Sequence, residues 1–248
     1  MDPPILPNPE SVPGYRRRVV IEPVQGSVRA ELEDDYHRMW VTLRHDGEAI
    51  THVKSGMPRS PWTTCEGAMA ALVDIFLGNR LDDPSVKRAK PLNCTHLYDL
   101  ATFCAGYAGE AERVTYEVFN SDPVDGRVVT RLYRNGERLF EWVLKKGRFV
   151  MPEAAAGKGL TGIGEWLDSL PPREQEAARV LRWASMVAQG RGIEMPTGMI
   201  GADIGMIGSC HTFQPGRAQE ARRKPSASVD FSHGAGPLAD RAGLFARG

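Results

Sequence analysis

The sequence predicts an α+β fold, in which an antiparallel sheet is followed by helices that pack on one of its faces. Three observations support this fold class. Apolar and polar residues alternate with period two across parts of residues 19–53, as expected of half-buried strands. Apolar residues recur at helical spacing within 65–77 and 95–104. Asp-Gly and Asn-Gly pairs then separate strand-like runs in 112–150, which indicates a second antiparallel meander before a helical C-terminal extension.

The composition excludes several classes of partner. The 248 residues include 31 Lys and Arg and 31 Asp and Glu, so no overall charge favours nucleic acid or an anionic membrane. No apolar run approaches the roughly 18 residues of a membrane span, and the proline-rich start lacks the apolar core of a signal peptide. Four cysteines are too few for a disulfide framework in a chain of this length. We therefore expect a cytoplasmic protein that binds a small molecule. The sequence is also compatible with a homodimer.

Three segments are predicted along the chain. Residues 1–15 contain a cluster of prolines and are expected to form a flexible arm. Residues 16–150 carry the strand and helix patterns and are expected to form an α+β core domain. Residues 151–248 are expected to form a helical and Gly/Met-rich extension that covers the core.

Two candidate ligands lie near the start of a predicted strand. Residues 36–43 have the alternation of a strand, and Asp46-Gly47 predicts the hairpin turn that follows it. Asp35 and His37 are two residues apart. Since successive side chains of a strand point to opposite faces, these two are expected on the same side.

Two cysteines begin predicted helices. Cys65 follows Thr64 and Cys94 follows Asn93, and both preceding residues are favourable N-caps. A helix N-terminus carries a partial positive charge, so it is expected to lower the pKa of each thiol. Cys104 lies within the second helical run and is predicted to be a buried apolar residue rather than a ligand.

The C-terminal extension holds a further candidate pair. Residues 163–170 and 172–189 are predicted helices, and residues 190–208 alternate glycine with methionine and isoleucine. Cys210 and His211 follow this segment. The segment is either a lid over a site, because glycine permits close approach and methionine adapts to a ligand, or a poorly specified tail.

The residue types favour a site for a divalent metal, zinc or iron. Both metals accept carboxylate, imidazole and thiolate ligands together. Each of these side chains alone can instead be structural, as a surface imidazole or a buried thiol. The Cys-x-x-Cys pairs of a zinc ribbon do not occur in the sequence. The predicted metal ligands are Asp35, His37, Cys65 and Cys94. The candidate general bases are His96 and His211.

A series of short motifs runs through the core domain. It consists of residues 35–39, Pro61 with Cys65, Leu77-Gly78, and Cys94-Thr95-His96-Leu97. This series resembles an uncharacterised bacterial family, the domain of unknown function 2889 family. The resemblance spans most of residues 16–150, and Cys-Thr-His-Leu is its most specific piece. It implies no particular activity.

A more distant likeness concerns residues 39–108. A strand and hairpin lead to a helix that Cys65 opens and that ends at Gly78-Asn79-Arg80-Leu81, and Cys94 opens a later helix. In this arrangement the region resembles the iron–sulfur cluster scaffold proteins of the NifU type. The resemblance implies a NifU- or SufE-like core.

The same resemblance implies a ligand set. In the scaffold proteins, three cysteines and an aspartate bind zinc or the cluster. Cys65 and Cys94 match two of those cysteines, while Asp35 and His37 stand where the scaffolds have a cysteine and the aspartate. With one thiolate replaced by a carboxylate, the set suits one divalent metal better than a transferable cluster.

Three functions are compatible with these observations. The first is a metal-dependent enzyme, a lyase or hydrolase, that acts on a small organic substrate, aromatic or otherwise. The second is an iron–sulfur cluster or sulfur-transfer scaffold that accepts persulfide on a cysteine. The third is a non-catalytic oligomerisation module with inert thiols. The enzyme is favoured because a compact scaffold does not need a C-terminal cover of about a hundred residues.

Overall fold

The structure confirms a mixed α+β fold with an antiparallel sheet. The computed structural model describes residues 12–83 and 90–241. The strands are β1 (Gly14–Val24), β2 (Ser27–Asp34), β3 (Arg38–His45), β4 (Ile50–Arg59), β5 (Val114–Ser121), β6 (Arg127–Arg134), β7 (Glu137–Lys145) and β8 (Arg148–Met151). The helices are α1 (Ala68–Phe76), α2 (Thr95–Gly106), α3 (Gly164–Ser169), α4 (Pro172–Ala188) and α5 (Arg217–Glu220). The eight strands are hydrogen-bonded in the order β4-β3-β2-β1-β5-β6-β7-β8.

The described residues fall into two compact units. The meander unit contains Thr115–Glu194, together with the described residues up to Arg18 and from Asp230 onward. The cysteine unit contains Val19–Val114 and Met195–Val229. The C-terminal extension predicted from the sequence therefore contributes residues to both units. Residues 1–11 of the predicted arm lie outside the described residues, and Gly14 and Tyr15 already belong to β1.

The cysteine unit has the predicted pattern of buried residues. β2, β3 and β4 pair as antiparallel neighbours. Met39, Val41 and Leu43 of β3 are each at most 1% exposed, which confirms the face predicted from their alternation. Helix α2 packs against β2 and β3, and α1 packs against β4. The amphipathic pattern of α2 therefore buries Leu97 and Leu100 against the sheet.

The strand before Cys65 is longer than predicted. The alternation in the sequence predicts strands only up to residue 53, but β4 continues to Arg59. Cys65 opens a 3₁₀ turn, Cys65–Gly67, which leads directly into α1. Gly78 follows the end of this helix with a φ of +79°, a conformation that glycine adopts without steric cost.

The meander unit confirms the predicted hairpins and helices. The strands β5, β6 and β7 form the predicted three-stranded meander, and β8 adds a fourth strand. The residues of both turns, Asp125-Gly126 and Asn135-Gly136, have positive φ, as the predicted hairpin turns require. Trp142 is 1% exposed and makes an edge-to-face contact with Trp166 of α3 at 5.7 Å between ring centroids.

The segment after residue 194 is held in the cysteine unit by backbone hydrogen bonds. The amide of Arg223 donates to the carbonyl of Met199 at 2.9 Å, and the amide of Gly201 donates to that of Ala221 at 2.9 Å. The amide of Thr63 donates to the carbonyl of Arg222 at 3.0 Å. Residues 221–223 therefore pair with the Gly/Met-rich residues and also with the chain that leads to Cys65. Within the described ranges, no helix has both the length and the apolar character needed to cross a bilayer.

We expect Gly56→Ala to destabilise the protein by about 1–3 kcal/mol, because overpacking forces neighbouring atoms to move. Gly56 lies opposite Trp40 in the β3–β4 register, and a Cβ there would lie 2.5 Å from the indole Nε1. Urea unfolding measures the change. Gly109→Ala is the matched control, since a Cβ at Gly109 meets no atom of the described residues within 4 Å. Equal free energies of unfolding for the two variants would contradict the packing explanation.

Candidate metal centre

A tight turn between β2 and β3 forms the base of the site. β2 ends at Asp34 and β3 begins at Arg38. One carboxylate oxygen of Asp34, Oδ1, accepts the amide hydrogens of Tyr36 and His37, each at 2.8 Å. The amide of Asp34 donates to the carbonyl of His37 at 2.8 Å. Aspartate favours such turns because its short side chain bonds the backbone two and three residues ahead.

The same carboxylate orients the His37 imidazole. The Nδ1 atom of His37 lies 3.0 Å from Oδ1 and 3.3 Å from Oδ2 of Asp34. Asp34 is fully buried and His37 is 9% exposed. A carboxylate in this position fixes the orientation of the imidazole ring.

Helix α2 brings a second imidazole to the turn. His96 is the second residue of α2, and its ring centroid lies 4.0 Å from that of His37 with an interplanar angle of 30°. Asp34, His37 and His96 each offer one ligand atom, and these three atoms lie within 4.8 Å of one another. Residues from the end of β2, the following turn and the start of α2 therefore converge.

The donor set fits one divalent cation. Zinc binds imidazole nitrogen and carboxylate oxygen at about 2.0–2.2 Å, so donors that share one ion lie about 3–4 Å apart. Two histidines and one carboxylate are also a known ligand set of ferrous iron with open coordination positions. The chemistry of these three side chains thus supports the coarse prediction of a divalent-metal site.

Asp34 is the residue that the sequence interpretation missed. The strand alternation expected of Asp35 and His37 is wrong, because both residues lie in the turn between β2 and β3 and not within a strand. The signal that identifies Asp34 is the spacing Asp-x-x-His across a chain reversal, where an Asp side chain closes the turn. The backbone carbonyl of Asp35 instead accepts a hydrogen bond from the guanidinium of Arg59 at 2.8 Å.

The two predicted thiol ligands lie in the same unit but are not members of this group of three. The hydroxyl of Thr212 donates to Sγ of Cys65 at 3.4 Å, and Sγ of Cys94 lies 3.9 Å from Sδ of Met39. Both thiols are buried. Metal binding by Asp35, Cys65 and Cys94 stays a prediction. Two of the predicted site residues, His37 and His96, lie together beside Asp34.

The expected lowering of the thiol pKa values is wrong. Burial raises the pKa of Cys65 and that of Cys94, because a thiolate in an apolar interior loses its hydration. A charge on Cys65 raises the pKa of Cys94 further. Neither Thr64 nor Asn93 makes the predicted capping hydrogen bond with its side chain. The hydroxyl of Thr64 instead donates to that of Thr212. The residue that immediately precedes α2 is Cys94, not Asn93. Cys104 is 1% exposed, which confirms its buried position.

His211, the second predicted base, packs beside the Cys65 turn. A Cβ on Gly67 would lie 2.8 Å from Nε2 of His211, so the close approach requires glycine there. The amide of His211 donates to the carbonyl of Asn93 at 3.0 Å, three residues before His96. Burial lowers the pKa of His211, and the positive charge of Arg217 lowers it further. His211 is therefore a neutral imidazole at neutral pH.

No protein-family model matches this chain, and no curated protein matches it. The resemblances to the domain of unknown function 2889 family and to the NifU-type scaffolds stay predictions. The site is consequently interpreted from its own residues.

We expect His211 to make the protein less stable as the pH falls. Its pKa is lower in the folded than in the unfolded chain, so the unfolded chain binds the proton more tightly, and folding stability decreases below the unfolded value of about 6.5. His211→Gln removes this contribution. Urea unfolding at about pH 7.5 and about pH 5.5 should show a smaller loss of stability in His211→Gln than in the wild type.

His52→Gln is the control for this measurement, because His52 is an exposed histidine on β4. This variant should lose as much stability on acidification as the wild type. A loss in His211→Gln equal to that of the wild type would show that His211 titrates alike in the folded and unfolded chains.

Proposed function

We propose that this protein is a metal-dependent enzyme in which Asp34, His37 and His96 bind one divalent cation, zinc or ferrous iron. The substrate is a small organic molecule, and the reaction is a lyase or hydrolase reaction. The observation that carries the proposal is the convergence of two imidazoles and a fully buried carboxylate from three separate elements.

The arrangement of the two imidazoles favours a bound cation. Their centroids are only 4.0 Å apart. Two protonated rings at this distance would repel each other strongly, because both residues are at least partly buried. Neutral imidazoles present lone pairs, and neutral imidazole is the form that binds metals. A cation between His37 and His96 converts this close approach into an attraction, with the Asp34 carboxylate as its counter-charge.

The number of donors favours catalysis over a purely structural role. Structural zinc sites have four protein ligands, whereas catalytic zinc sites have three and keep a position for water or substrate. Asp34, His37 and His96 supply three donor side chains. The cation would supply Lewis acidity, which polarises a carbonyl group or lowers the pKa of a water molecule.

His211 is the proposed general base of this enzyme. Its lowered pKa keeps a free lone pair on the ring at neutral pH, and a proton acceptor needs one. It lies in the segment 195–229, whose backbone is hydrogen-bonded beside the start of α2. This position supports the interpretation of the Gly/Met-rich segment as a cover over the site.

The sulfur-transfer scaffold is the second candidate function. Three thiols in the cysteine unit interact electrostatically, since a charge on Cys65 raises the pKa of both Cys94 and Cys210. A persulfide acceptor attacks as a thiolate, and burial disfavours the thiolate at all three positions. The enzyme is therefore the better supported proposal, and the non-catalytic module is the outcome if neither metal nor persulfide is found.

We expect untagged protein to contain about one zinc or iron per chain by elemental analysis. His37→Ala and His96→Ala should lose the metal, because each removes a ligand. Asp34→Asn should weaken metal binding, because it removes the charge of a ligand while keeping an oxygen that can accept the turn hydrogen bonds. His52→Ala is the matched control, and it should retain the metal.

Cys65→Ala and Cys94→Ala complete the series. Retention of the metal in both variants is expected if Asp34, His37 and His96 form the site. Loss of metal in the two cysteine variants, with retention in His96→Ala, would contradict the proposed ligand set. Persulfide on Cys65 or Cys94 after incubation with a cysteine desulfurase would favour the scaffold.

A further inference from the structure

Arg223 is a buried arginine enclosed by aromatic rings. The residue is 5% exposed. Its guanidinium carbon lies 5.8 Å from the centroid of the Tyr36 ring and 5.9 Å from that of the Trp62 ring. The backbone of Arg223 pairs with that of Trp62 in an isolated antiparallel bridge. This pairing fixes the backbone from which the arginine side chain extends.

Within the described ranges the guanidinium has no carboxylate partner, and its nitrogens reach solvent, because none of them is a buried polar atom that lacks a hydrogen bond. Two other partly buried arginines have a carboxylate partner. Arg59 pairs with Glu33 at 2.9 Å, and Arg191 pairs with Asp122 at 2.7 Å. Burial lowers the pKa of Arg223, and within the described ranges the groups whose charges act on it are Tyr36 and Cys65, neither of them a carboxylate.

A cation that is mostly enclosed by aromatic rings loses much of its hydration, and the protein interior does not replace it. Arginine cannot relieve this cost by losing its proton, since its pKa stays far above neutral pH. Contact with an aromatic face compensates only a small part of the lost hydration. An anion bound to the guanidinium would replace the hydration that it has lost.

We propose that Arg223 binds the carboxylate of an aromatic or apolar monocarboxylic acid, and that this acid is the substrate of the proposed enzyme. The planar guanidinium fork matches one carboxylate with two parallel hydrogen bonds. The aromatic surroundings suit the body of the ligand: Tyr36 and Trp62 flank the cation, and Phe213 meets Trp62 at 5.6 Å between ring centroids. The substrate role rests on the proposed function, whereas binding of the acid does not.

Tyr36 connects the anion site to the metal centre. Its ring makes an edge-on contact with His37 at 6.3 Å between centroids and also lies beside the guanidinium of Arg223. One side chain thus contacts both the proposed cation ligands and the proposed anion receptor. A phosphate dianion is a poorer match, because a single guanidinium neutralises only half of its charge.

The test uses benzoate as the probe and benzamide as its neutral isostere. Binding is measured on the full chain by isothermal calorimetry and by quenching of tryptophan fluorescence. Wild-type protein should bind benzoate at least tenfold more tightly than benzamide. Arg223→Gln should lose this preference, and Arg223→Lys should retain part of it, because a point charge remains without the fork. Arg222→Gln is the matched control, since Arg222 is the exposed neighbour.

A stability measurement without ligand separates a receptor from a structural arginine. Arg223→Met should unfold at a urea concentration equal to or above that of the wild type, because it removes an uncompensated charge. Arg59→Met should unfold at a lower concentration, because it removes the ion pair with Glu33. A marked destabilisation by Arg223→Met, together with unchanged benzoate binding in Arg223→Gln, would overturn the inference.

The metal-loaded and chelator-treated proteins are compared to keep the two proposals separate. Benzoate binding that depends on Arg223 in protein that never binds a metal supports the carboxylate receptor and contradicts the metal-dependent enzyme. Metal binding with no preference for benzoate over benzamide supports the metal centre and overturns the receptor. Tighter binding of inorganic phosphate than of benzoate would overturn the assignment of a monocarboxylate.

Discussion

The buried carboxylate of Asp34 is the interaction on which the rest of the site depends. It ends β2, accepts the two amide hydrogens that reverse the chain, and holds the Nδ1 atom of His37. An ionised carboxylate without partners in the interior would be strongly destabilising. The turn therefore gives Asp34 the hydrogen bonds it requires and at the same time fixes the imidazole that faces His96.

Burial and the helix N-terminus act in opposite directions on the thiols, and burial is the larger effect. A helix N-terminus stabilises a negative charge by about 0.3–1 kcal/mol, up to about 2 in favourable geometry, and one pKa unit corresponds to about 1.4 kcal/mol. Full burial can shift a pKa by about 3–5 units. Cys94 immediately precedes α2 and is 9% exposed, so its pKa is raised despite its favourable place on the helix. A bound cation is the kind of charge that could reverse this balance.

Local patterns predicted the fold better than they predicted the site. The alternation of Met39, Val41 and Leu43 identified the buried face of β3, and Asn135-Gly136 identified a hairpin, because both signals depend on neighbours in sequence. Asp34 was missed because the prediction relied on the alternation of side chains along a strand, and the chain reverses into a turn at this residue. His96 was predicted as a base, and only the packing of α2 on β2 and β3 places it beside His37. Arg223 gave no signal at all, since a missing carboxylate partner is a property of the three-dimensional surroundings.

The charges of the cysteine unit explain why a carboxylic acid suits this interior. A divalent cation on Asp34 and two neutral imidazoles would leave one net positive charge, and Arg223 adds another. Ionised Tyr36 and ionised Cys65 would each act on Arg223 as internal anions, but burial raises the pKa of the Cys65 thiol. A carboxylic acid has an ordinary pKa of about 4, whereas a thiol has one of about 8.5. The acid therefore enters as an anion at neutral pH without the cost of ionising a buried thiol, which makes a substrate carboxylate the more favourable counter-charge for the two cations.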